Sequence, residues 1–91
     1  MKKLVKVEEV EGEGLIALMG ETVTLFCANY IYAGKLVGVN DKFVQLESPH
    51  IVYETGAFSD KSFKDAQKMT NGVWYVSTEF IESYGKLKEL S

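Results

Sequence analysis

The 91 residues predict a single, mainly β domain: a small five-stranded, strongly bent antiparallel barrel, partly open at its edges. Three observations carry this expectation. From Glu21 onward apolar and polar residues alternate with period two, as in strands with one buried face. Gly34 and Gly38 interrupt the second of these runs. Glycine inside a strand marks a bend, a bulge or a close backbone approach, and two glycines four residues apart suit the curl that closes a small barrel. Turn signals at Asn29, Asn40-Asp41 and Asn71-Gly72 separate the runs at short intervals.

Taken in order, residues 1–14 read as an N-terminal arm, a short strand or irregular segment broken by Gly12 and Gly14. Leu15, Ile16, Leu18 and Met19 form an apolar turn stopped by Gly20, which predicts a short N-terminal helix. In the first strand, Val23, Leu25 and Cys27 alternate with Thr22, Thr24 and Phe26. Residues 31–40 form the second strand. The third starts at Phe43, is interrupted at Ser48-Pro49-His50 and resumes over 51–55; Pro49 has no N–H for a ladder and calls for a bulge or an edge. Residues 56–72 read as an insertion with a helix that starts at Ser59 or Ser62 and runs to Met69. Its apolar stripe would be Phe63, Ala66 and Met69, with Lys61, Lys64, Asp65 and Lys68 toward water. Residues 73–78 and 80–84 are the fourth and fifth strands, and the polar tail 85–91 is expected to fray.

Composition narrows the function classes. A domain of this length buries only roughly 60–65% of its unfolded surface, so assembly would help to stabilise it. The formal net charge is −3, and all ten basic residues are lysine. Arginine is the usual residue for bidentate phosphate contact and for stacking on bases, so nucleic acid would have to be held by local or symmetry-related lysines. The single cysteine, Cys27, excludes an intramolecular disulfide and reads as a small buried hydrophobe. No apolar run approaches the roughly 18 residues that cross a membrane, and the N-terminus turns acidic too soon for a signal peptide; a cytoplasmic location is the expectation. His50 has no histidine or cysteine companion for a metal. No nucleophile, base or metal set converges, so neither an enzyme nor a cofactor nor a small-molecule substrate is expected.

The segment 34–46, GKLVGVNDKFVQL, places Gly34, Leu36, Gly38, Asn40 and Leu46 where the first signature motif of the Sm/LSm/Hfq family has its Gly, Leu, Gly, Asp and Leu. Residues 15–26 resemble that family's helix end and first strand, and residues 73–84 occupy the place of its second motif. Over 15–84 the chain therefore resembles a divergent bacterial or phage-type Sm-like protein. The resemblance implies an SH3-like barrel (the Sm-like fold). It also implies a homo-oligomeric ring of about five to seven subunits, made by pairing the fourth strand of one subunit with the fifth of the next, and binding of single-stranded RNA near the pore.

Carried over residue by residue, the pocket would be built from Asn40, Asp41, Lys42 and Phe43 on one turn and from Ser77 and Thr78 on another. Asn40 takes the acidic position that orients the loop, and Lys42 stands about where the stacking ring would be, beside Phe43. Val44 takes the position of the base-reading asparagine, and Val76-Ser77-Thr78 replaces an Arg-Gly-polar sequence. The aromatics Tyr30, Tyr32, Tyr53, Trp74, Tyr75 and Tyr84 are expected mainly in the core or at subunit interfaces. Two functions follow as expectations: a ring-forming RNA-binding module, or a ring scaffold or protein-interaction adaptor that no longer binds RNA and uses 56–72 as its partner surface.

Overall fold

A computed structural model describes residues 14–90. Its six strands are β1 (Thr22–Cys27), β2 (Ile31–Val39), β3 (Phe43–Glu54), β4 (Asp65–Lys68), β5 (Val73–Ser77) and β6 (Ile81–Gly85). All pairings are antiparallel, in one sheet of order β4-β3-β2-β1-β6, with β5 also on β3. The mainly β expectation therefore holds, and the predicted fourth and fifth strands correspond to β5 and β6. The N-terminal arm, apart from Gly14, lies outside the described residues.

The central event is a change of partner along β3. Residues 43–47 pair with β5 and residues 50–54 with β4, while β2 follows both halves. The switch occurs at Ser48-Pro49. Ser48 has φ 51°, and the register against β2 slips between Ala33 and Lys35, so that Gly34 alone opposes two residues. This is a β-bulge, and it explains how a proline sits inside a paired strand. The bulge backbone finds its partners in the β4–β5 connection: Ser48 N–H donates to Gly72 O at 3.3 Å, and Met69 N–H donates to Pro49 O at 2.8 Å. A Cβ on Gly34 would lie 3.1 Å from Glu47 O, 3.2 Å from Leu46 Cβ and 3.3 Å from Pro49 Cα. The strands approach there because nothing projects between them. A second slip lies between Leu36 and Gly38, where a Cβ would meet the Gln45 side chain at 3.1 Å.

The alternation read from the sequence selects the core. Val23, Leu25, Leu36, Val44, Leu46 and Val76 are buried together, with Leu15, Leu18, Cys27, Tyr32, Val39 and Ile81 packed against them. Leu25 of β1 and Val76 of β5 share this cluster although two strands, β2 and β3, separate them in the sheet, so the sheet curls around its apolar face.

Two expected helices are absent. Residues 15–18 make one 3-10 turn, which lays Leu15 and Leu18 on the core and is stopped by Gly20 at φ 86°. A segment this short gains too few intrahelical hydrogen bonds to offset the cost of nucleating an α-helix. In the insertion, Phe63, Ala66 and Met69 are half-buried, as a helical stripe would have them, but the backbone is not helical. Residues 65–68 are β4, with Ala66 opposite Val52 and Lys68 opposite His50. The outer half of β3 offers a row of backbone groups, and pairing with it overrides local helix preference. Lys61, Lys64 and Lys68 consequently form no helical stripe; Lys64 instead pairs with Glu54 at 3.3 Å on the surface.

Candidate functional site

The turn at residues 40–43 is closed by Asn40. Its Oδ1 accepts the N–H groups of Lys42 at 2.8 Å and Phe43 at 2.9 Å, and its own N–H donates to Phe43 O at 3.0 Å. An asparagine side chain that mimics a backbone turn in this way is the ordinary reason for Asn at a tight connection. The second segment arrives through the β3–β5 ladder. Phe43 pairs with Ser77, Thr78 N–H donates to Lys42 O at 2.9 Å, and Thr78 Oγ1 donates to Asp41 O at 2.8 Å. All six residues singled out from the sequence thus meet at one corner, although Asp41 and Thr78 are 37 positions apart.

Within this corner the roles divide. The Asn40 amide oxygen and the Thr78 hydroxyl are committed to backbone partners, so they shape the corner. Asp41 and Lys42 are exposed, and among the described residues neither has an ion-pair partner. The side chain that sequence reasoning did not assign to the corner is Tyr75. Its ring meets Phe43 edge-on, with centroids 5.1 Å apart and planes at 84°; Tyr75 is 55% exposed and Phe43 39%. The alternation holds the signal for it. Val44, Leu46 and Val76 face the core, so Phe43, Gln45 and Tyr75 occupy the opposite face, and the register makes Phe43 and Tyr75 diagonal neighbours.

Beside the corner lies a groove of about 170 Å³ that shares Tyr75 and Ser77 with it and is otherwise lined chiefly by Tyr30, Tyr32, Phe80 and Cys27. Tyr30 and Tyr32 lie 6.2 Å apart, tilted by 54°. Aromatic surface therefore continues from Phe43 across Tyr75 into the groove. Burial, and next the Glu82 carboxylate, push the Cys27 thiol up. Burial, then Cys27 and Tyr30, raise the Tyr32 hydroxyl. Both groups are neutral at pH 7, so the groove offers rings and hydrogen-bond donors, not a nucleophile.

Among the described residues no group of three or more His, Cys, Asp or Glu side chains is placed to hold a metal ion, and no helix is long and apolar enough to cross a membrane. His50 Nδ1 lies 2.9 Å from Ser48 O, at the bulge. Comparison with protein-family models, with curated proteins and with solved structures finds no match to this chain.

Proposed function

We propose that this chain is an Sm-like, ring-forming module that contacts single-stranded RNA at the corner built from residues 40–43, Tyr75 and residues 77–78. The observation that carries the reading is the exposed Phe43–Tyr75 pair, with exposed Lys42 next to Phe43 in the sequence. A base stacked on an aromatic side chain gains about 1–3 kcal/mol, and a lysine beside it serves a phosphate. The fold supports the same reading. A strand order β6-β1-β2-β3-β5 curled around a core shared by Leu25 and Val76, with a 3-10 turn between β5 and β6, is compatible with a small SH3-like barrel. Among the described residues β5 and β6 each pair on one side only, and they expose Val73, Trp74, Tyr75 and Tyr84. Pairing β5 of one copy with β6 of the next would satisfy both edges and, repeated, close a ring. Each corner would bind weakly, and the ring would multiply the contacts.

Fluorescence titration of short U-rich and A-rich RNAs at low salt tests this function. Salt-sensitive binding is expected, weakened by Y75A and F43A, with a shallower salt slope for K42A. A second reading, an adaptor ring that takes protein instead of RNA, is favoured by the net charge of −3 and the absence of arginine. An assembled ring that binds none of these RNAs selects the adaptor and rejects the first reading.

A further inference from the structure

Residues 55–64, between β3 and β4, form a loop whose two ends touch: Lys64 N–H donates to Thr55 O at 3.3 Å. Compact surface loops of this kind are normally packed by their own side chains. Here every side chain of the loop is exposed or half-buried, and Phe58 is 68% exposed. The filling comes from the tail. Lys88 is only 5% exposed, and its Nζ donates to Thr55 O at 2.6 Å, Ala57 O at 2.6 Å and Ser62 O at 3.2 Å. The same ammonium sits 5.7 Å from the centre of the Phe63 ring, and the next residue, Glu89, donates its N–H to Lys61 O at 3.1 Å. Far from fraying, the tail is tied to the loop at these points.

An ammonium has three donors, and three carbonyls take them all. The cage suits a lysine and no other side chain: arginine presents a flat fork, and methionine, of similar length, brings no donor. We propose that residues 86–90 are a latch for the loop, with Lys88 as its plug. While the tail is seated, 55–64 holds one shape and delivers the chain into β4. When the tail is displaced or cut away, the carbonyls of Thr55, Ala57 and Ser62 turn to water, the loop opens and the four-residue β4, which among the described residues pairs with β3 alone, is released with it. The latch is independent of RNA and of ring closure.

Hydrogen exchange on the full-length chain tests the latch, with the variants made on a C27A background so that position 88 can be alkylated alone. K88M is expected to raise exchange at least tenfold over residues 56–68 and leave β1 and β2 unchanged. In K88C, treatment with 2-bromoethylamine rebuilds an ammonium of nearly lysine length on the cysteine, and protection of 56–68 should return. Unchanged exchange over 56–68 in K88M would overturn the proposal. So would an equal rise in every strand, which would mark Lys88 as a general stabiliser, or a failure of the rebuilt ammonium to restore protection.

Discussion

Gly34 faces two backbone atoms within 3.3 Å of where a Cβ would stand, and replacing it with alanine asks whether the bend between β2 and β3 is a close approach of backbones. A Cβ there meets Glu47 O at 3.1 Å, Leu46 Cβ at 3.2 Å and Pro49 Cα at 3.3 Å. Two of these three atoms belong to backbone, and the bulge that carries them is tied to Gly72 and Met69, so none can swing aside. Overpacking of this kind costs about 1–3 kcal/mol, and alanine returns roughly 0.5 kcal/mol by stiffening the unfolded chain. A net loss of about 1.5 kcal/mol, at about 4–8 °C per kcal/mol for a domain of this size, lowers Tm by roughly 6–12 °C. Gly38 is the internal control. Its Cβ would meet Gln45 alone, whose Oε1 at 3.1 Å can rotate away while its Cβ at 3.2 Å stays, and no backbone atom is among its near neighbours, so G38A should cost less than G34A. Thermal melts by circular dichroism at one fixed protein concentration, since assembly shifts Tm, compare the two. Equal melting of G34A and G38A, or G34A within about 2 °C of the parent chain, would refute the close-approach argument.

Two further outcomes follow from buried groups. The Thr24 hydroxyl is fully buried with no hydrogen-bond partner among the described residues, so T24V, which keeps the shape and removes the orphan, should raise stability by about 1 kcal/mol in urea unfolding; a less stable T24V would mean that the hydroxyl is satisfied. Cys27 and Tyr32 hold their protons more tightly folded than unfolded, so above about pH 9, where the unfolded thiol ionises, the unfolded chain binds fewer protons and stability falls with rising pH. The urea midpoint should decline between pH 8 and 10.5, and less steeply in C27A; the same decline in C27A would remove Cys27 as its source.

Much of the strand plan was legible because it rests on local marks. The alternation at Val23, Leu25 and Val76 identifies core faces, Pro49 announces the bulge, Gly34 and Gly38 announce the bends, and Asn40 announces its turn. The corner was legible too, since the motif spacing picked out both segments that meet there. What it could not supply was the chemistry of each side chain: Asn40 and Thr78 are spent on backbone, while Tyr75 emerges only once the β3–β5 register is known. The insertion misled because Phe63, Ala66 and Met69 are half-buried with helical spacing on a backbone that is extended or turning, and the partner that decides this, the outer half of β3, is remote in sequence. Lys88 left no trace, because its ligands are carbonyls, which every residue carries.

The most direct test of the proposed ring is the mass of the assembled protein in solution. Multi-angle light scattering at micromolar concentration should give about five to seven times the 10.2 kDa of the chain, the subunit number that the Sm-like resemblance implies for a ring closed head to tail through β5 and β6. Charging both edges with V73K and Y84K should return it to the mass of one chain without unfolding it. A parent protein that elutes at the mass of a single chain would contradict the ring, and with it the multivalent RNA contact that the ring is proposed to provide.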